Sequence, residues 1–347
     1  MNKVLSINFK IHKSHKATIT LILLGLVTFI TLVISVGIGD LYIPPIDAIL
    51  ALTGAGSPLH TLVIETFRLP RILIALLAGA ALACSGAIMQ AIIRNPLASP
   101  DMIGITGGAS AAAVAVITFF SNTATNSLMI SIHWIPVAAF LGATLVAFLI
   151  YLFAWKGGVS PFRLVLIGVG FQTVMYAVTN LIILLGPVFL AVQSKTWLTG
   201  SVYGGKWDHV YILLPWTVLL FLLALLLARH INIQQLGDEL ATGLGSRVQV
   251  HRLLLLLIST GFAGAAVAFA GGIGFVGLIA PHAARRLVGS SYRVLLPASA
   301  LLGATFVMLA DLVGRTWLAP LEIPAGVFTA VIGAPYFLFL LFRSRKG

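Results

Sequence analysis

Gly272, Gly274 and Gly277 spell GxGxxG, the pattern that lets backbone approach a dinucleotide pyrophosphate when it joins a strand to a helix. That chemistry also needs an acid about 20 residues further on. Here the glycines follow a long apolar run and lead into Phe275, Val276, Leu278 and Ile279. The sequence therefore predicts a helix break at Gly272, Gly274, Gly277 and Pro281, beside a protein-lined cavity, and no nucleotide site. Nowhere is GxxxxGK followed by the Ser or Thr that completes a Walker loop, so the chain has no phosphate-cradling loop with which to hydrolyse ATP.

The other residues with chemical potential are few. No Ser stands in a GxSxG elbow, and His282 is followed by Ala283 and Ala284 rather than by the Glu and His of a zinc-protease helix. Neither a catalytic site, nor a metal site, nor a cofactor is expected. Asp311 is the one acid well inside an apolar run, and Arg315 lies one helical turn beyond it, which suits a structural ion pair. Paired carboxylates at helical spacing within a span, which a proton-driven pump requires, are missing. Cys84 lies in an apolar run and reads as a small packing residue. The segment Leu236 to Ser246, LGDELATGLGS, sets Asp238 and Glu239 among Gly237, Gly243 and Gly245. It suits two short helices broken by turns, serving either as a solvated loop or as a docking surface.

These residues sit on elements that composition makes plain. Of 347 residues 59% are hydrophobic and only 9% charged, against about a quarter charged in a soluble domain. The mean hydropathy of +1.08 is spread along the chain, so most of it meets lipid. The net charge of +12 invites a nucleic-acid reading, but most cations sit in short segments between apolar runs. No nucleic-acid partner is expected.

With about 20 apolar residues needed per crossing, spans are read near 17–39, 70–93, 102–120, 134–154, 163–186, 210–228, 253–272, 294–314 and 324–342, with a short candidate at 275–284. Counting that candidate as a crossing puts 16 of the 21 Lys and Arg on one side. Only Arg68, Arg71, Lys195, Lys206 and Arg315 fall on the other. The positive-inside rule then sets both termini in the cytoplasm, with a basic N-terminus at 1–16 and a cytoplasmic loop at 229–252. Stripes of small residues, Ala75, Gly79, Ala83 and Gly86 in one span and Gly261, Gly264, Ala268 and Gly271 in another, predict close helix packing.

The RLPR of Arg68 to Arg71, the GAALACSGAIMQAIIRNPLASPDMIGI of Gly79 to Ile105, the LGDELATGLGS loop, the GGIGFVGLIAPHAARRLVG of Gly271 to Gly289, the LLPASALLGATFVMLADLVGR of Leu295 to Arg315 and the EIPAGVFTAVIGAPYFL of Glu322 to Leu338 together resemble the FecCD family of permeases. These serve ABC importers for iron siderophores, haem and cobalamin. The resemblance implies an all-α polytopic fold of the type II ABC importer kind, one transmembrane permease domain over 1–347 with about ten spans, in a bacterial cytoplasmic membrane. It also implies two cytoplasmic ATPase subunits, a second permease subunit, identical or similar, and an extracytoplasmic binding protein. Leu236, Gly237, Asp238, Glu239, Ala241, Leu244 and Gly245 match the family's ATPase-coupling helices. Arg68, Arg71 and Arg315 match its binding-protein docking arginines. Local neutralisation, of Arg68 by Glu65 and of Arg315 by Asp311, is the plainer alternative for those arginines. A ferric siderophore is the expected cargo, with haem or cobalamin as alternatives. The rival class is an ion-coupled secondary transporter with broken helices at mid-membrane.

Overall fold

A backbone that crosses hydrocarbon satisfies its own N–H and C=O groups only as helix or closed barrel, and the apolar runs of this chain are helices. The computed structural model describes residues 2–39, 41–122, 127–129, 131 and 133–344. Arg345 and Lys346, counted above among the inward cations, lie outside them. In chain order the helices are α1 (Asn2–Gly37), α2 (Pro45–Leu52), α3 (Pro58–Leu62), α4 (Leu69–Ile93), α5 (Ile105–Phe119), α6 (Trp134–Ala154), α7 (Pro161–Leu185), α8 (Val188–Thr199), α9 (Trp207–Leu226), α10 (Ala228–Gln234), α11 (Asp238–Gly243), α12 (Val248–Ala270), α13 (Val276–Val288), α14 (Tyr292–Thr316) and α15 (Ala325–Ser344). A π-helical stretch, Val63–Arg68, joins α3 to α4, and a 3-10 turn, Pro100–Ile103, precedes α5. The sole β ladder among the described residues is a two-residue antiparallel pairing between Ser121–Asn122 and Ser127–Leu128, beside which stands one isolated bridge between Trp155 and Val159.

Eight helical segments are long and apolar enough to cross a membrane. The shorter apolar helix Ile105–Phe119 and the 13-residue α13 stand where the two remaining spans were expected, each shorter than a full crossing requires. Helices α2 and α8 were not foreseen: they are short, and neither is long enough to span. Local chemistry sets several boundaries. The Ser57 and Ser160 side chains accept hydrogen bonds from the backbone N–H of His60 and Arg163 and so cap α3 and α7, each of which begins with proline. Gly289, at φ +86°, ends α13.

Helix α4 is the hub. Of its most apolar window 83% is buried, against 11% for α7, so α4 runs through the centre while α7 stays uncovered. The small-residue stripe makes this possible. A Cβ on Gly79 would strike the Gly303 carbonyl of α14, and one on Gly86 would strike the Gly277 carbonyl of α13. Close backbone approach of this kind drives association where lipid removes the hydrophobic difference. Between these crossings the Ser85 hydroxyl lies 2.8 Å from that of Ser259 on α12, and each hydroxyl also bonds the other residue's carbonyl. Cys84 is buried beside this crossing as a packing residue.

Candidate functional site

At one end of the bundle the π-helical stretch hands over to α4 and delivers Arg68 and Arg71, while the last turn of α14 delivers Arg315. The three arginines line one pocket of about 280 Å3, together with Gly39 and Glu322. Arg71 donates from Nε to Asp311 Oδ1 at 2.9 Å and from Nη1 to Glu322 Oε2 at 2.8 Å. Arg68 donates to the carbonyls of Val36, Gly37 and Leu41, and Arg315 to that of Ser35. The side chains are 7% (Arg68), 11% (Arg71) and 7% (Arg315) exposed.

The expected ion pair between Asp311 and Arg315 is present, with the Arg315 Nε 3.8 Å from Asp311 Oδ2, but Arg71 of α4 holds the same carboxylate more closely, through direct hydrogen bonds. Backbone carbonyls and carboxylates hold each of the three arginines in place.

At the opposite end of α4 lies the loop of α10 and α11. Asp238, the first residue of α11, accepts from Arg252 Nη2 at 2.7 Å and is bridged by Arg94, whose Nε also donates to the Gln234 carbonyl at 3.0 Å. Arg252 is fully buried and also donates to the Val159 carbonyl. One carboxylate thus ties α11 to the end of α4 and the start of α12. Burial works against ionisation of Asp238, but Arg252 and Arg94 outweigh it and hold the carboxyl below the usual carboxylate range.

The remaining loop residues divide cleanly. Ala241 is buried, whereas Glu239, Leu236 and Leu244 are exposed. Leu240, overlooked in the sequence, is 63% exposed on α11, and with Leu244 at the helix C-terminal cap and Leu236 before the Gly237 turn it makes three exposed leucines along this loop. Gly237 and Gly245 take φ of +107° and +78° at the two turns that bound α11. Arg94 and Arg252 had no signal in the sequence, because 144 and 14 residues separate them from Asp238.

The predicted helix break spans Gly271 to Phe275, between α12 and α13. Gly272 and Gly274 lie within it, whereas Gly277 and Pro281 lie inside α13, which corrects their expected place. The conformationally demanding positions are Gly271, at φ +67°, and Phe275, at φ +66°. The C-terminal end of α8 packs on this break, with the Trp197 carbonyl where a Gly271 Cβ would stand. Gly272, Gly274 and Phe275 line a cavity of about 540 Å3 that they share with α5, α7 and the Pro100–Ile103 turn.

Residues 23–343 match the FecCD transport family. The chain is 55% identical over 94% of its length to the probable siderophore transport system permease protein YfhA of Bacillus subtilis strain 168, covering 95% of that protein. It is 42% identical over 96% of its length to the iron(3+)-hydroxamate import system permease protein FhuG of the same organism, covering 99% of it. Among solved structures, an inward-facing metal-chelate type ABC transporter superposes with a TM-score of 0.82 at 34% identity, over 93% of this chain and 98% of that one. With eight helices long and apolar enough to cross a membrane, among them the glycine-studded central α4, a broken helix at Gly271–Phe275 and a match over nearly its whole length, this membrane chain belongs to the FecCD transport family.

Proposed function

We propose that the chain is the membrane-spanning permease subunit of a binding-protein-dependent ABC importer, that it carries a ferric siderophore, and that a separate ATPase drives it. The observation that carries this reading is the near-full-length likeness to a metal-chelate type ABC transporter and to siderophore and iron-hydroxamate permeases. The whole chain, 1–347, works as one transmembrane unit in a bacterial cytoplasmic membrane, with both termini, the basic 1–16 segment and the 229–252 loop inside.

In this mechanism Leu236, Leu240 and Leu244 bury themselves against the ATPase, with Glu239 beside them. Their exposure outside the spans supports the assignment, since exposed apolar groups clustered in this way mark partner sites. Asp238 transmits movement of α11 to α4 and α12 through Arg94 and Arg252. At the far end, the pocket of Arg68, Arg71 and Arg315 receives acidic side chains of the binding protein. Three arginines against Asp311 and Glu322 leave that pocket a net positive charge. A second permease subunit and lipid cover the faces that α7 leaves open.

The test is reconstitution with the ATPase and binding protein in proteoliposomes. Uptake of iron chelate that requires ATP hydrolysis supports the reading. Uptake driven by an ion gradient with no ATPase present establishes the secondary-transporter alternative instead. For the docking pocket, charge reversal at Arg68 should weaken binding-protein affinity in a salt-dependent way, because screening acts over about 8 Å at physiological ionic strength. A matching reversal on the binding protein should restore it. A loss of folded permease with neither salt dependence nor rescue assigns the cluster to structure alone.

A further inference from the structure

We propose that the cavity between α5, α7 and the Gly271–Phe275 break selects its cargo by charge, accepting neutral or cationic metal chelates and disfavouring anionic ones, with the Asp101 carboxylate as the discriminating group. The inference rests on the importer reading above and names the substrate class that its path admits.

Asp101 lies on the Pro100–Ile103 turn, which the sequence reading left at the membrane surface. The turn is not at the end of α4. Pro100 Cδ and the Leu82 carbonyl both border the site of a Gly277 Cβ, at 2.9 and 3.0 Å. Leu82 precedes the end of α4 at Ile93 by about 16 Å of helix, at 1.5 Å per residue. The chain therefore doubles back after α4 and carries Asp101 toward mid-bundle.

A carboxylate at such depth is costly and by default marks a path or a partner. Asp311 illustrates the second case, with Arg71 bound to both its oxygens. Asp101 has no ion pair among the described residues and instead faces the cavity. The cavity wall explains how it can do so. Thr106, Ser110, Gln172, Tyr176 and Asn180 supply hydroxyls and amides, and no Lys, Arg or His is among the described lining residues. The Gln172 Oε1 is buried without a partner, so this wall keeps an acceptor free for a passing ligand or its water. A path with one negative charge and no positive one attracts a cationic cargo, tolerates a neutral one and repels an anion, and low surrounding polarity strengthens each effect.

The experiment uses the reconstituted transporter with ATPase and binding protein, and three iron complexes of one linear trihydroxamate. Its terminal amine is left free (cationic complex), acetylated (neutral) or succinylated (anionic). Uptake is divided by binding-protein occupancy measured for each complex. The wild type should carry the cationic complex at least about fivefold faster than the anionic one, Asp101→Asn should bring the two within about twofold, and Asp101→Glu should restore the spread. Asn180→Lys, an exposed position on the same wall, should reverse the ranking even if Asp101→Asn fails to accumulate. Equal uptake of all three by the wild type, or a ranking unmoved by Asp101→Asn or by Asn180→Lys, overturns the proposal and leaves the importer reading standing. Uptake of none of the three, by a complex whose ATPase still responds to binding protein, is instead a failure of the siderophore reading itself.

Discussion

Arg71 donates to both carboxylate oxygens of Asp311, Nε to Oδ1 at 2.9 Å and Nε to Oδ2 at 3.1 Å, across 240 residues of sequence. This pair closes one end of the α4–α14 crossing, whose middle is the Gly79–Gly303 contact. Both side chains are almost wholly buried. The pair therefore acts as a fastener between two central spans as well as a member of the proposed docking pocket.

Removing one member should expose that fastening role. Asp311→Asn leaves the Arg71 and Arg315 guanidiniums without their shared carboxylate, and breaking a buried pair costs about 3–5 kcal/mol. Thermal unfolding of the detergent-purified permease should show a markedly lower midpoint, and Arg71→Met combined with Asp311→Leu should recover part of it. An unchanged midpoint for Asp311→Asn would remove the pair from the list of stabilising contacts.

The loop tether has a defined pH window. Because Arg252 and Arg94 hold Asp238 below the usual carboxylate range, its stabilisation is fully present above the unfolded value of about 3.9 and is lost as pH falls through the lower folded value. Limited proteolysis of the 229–252 loop should stay constant from pH 7 to pH 5 and accelerate only in stronger acid, whereas Asp238→Asn should already be labile at pH 7. Loosening of the wild-type loop already between pH 7 and pH 5 would show that a group other than Asp238 controls it.

Glycine requirements at the break should follow geometry rather than the GxGxxG spelling. Gly274 has open space where a Cβ would lie, so Gly274→Ala should fold and transport nearly normally. Gly271 combines φ +67° with the Trp197 carbonyl against its Cα, so Gly271→Ala should lower both the yield of folded protein and transport. Equal tolerance of the two, measured by yield and uptake side by side, would contradict the structure of this segment.

The exposed leucines of the loop should carry the ATPase contact. Leu240→Asp should weaken ATPase copurification by about tenfold or more, as loss of a central interface anchor does. The permease itself should keep its melting behaviour, because Leu240 is mostly exposed. Undiminished copurification would move the contact elsewhere.

Periodicity and composition were enough to place the spans, because a crossing needs a long apolar run whatever surrounds it. The lopsided distribution of Lys and Arg was likewise enough to group Arg68, Arg71 and Arg315 at one end of the bundle and the 229–252 loop at the other. These are properties of solvent and chain length. The stripe at Ala75, Gly79, Ala83 and Gly86 announced tight packing for the same reason: only small side chains let backbones meet. Partner choice was a different matter. Asp311 has Arg315 one turn away, and local spacing favoured that pair, yet the fold brings Arg71 closer and in better alignment. Asp101 appeared to end a surface turn, and only the return of the chain toward Leu82 and Gly277 carries it inward. Arg94 and Arg252 meet at Asp238 from separate helices. Contacts between distant segments depend on how helices cross, and crossing geometry is set by the whole bundle at once, which no single stretch of sequence records.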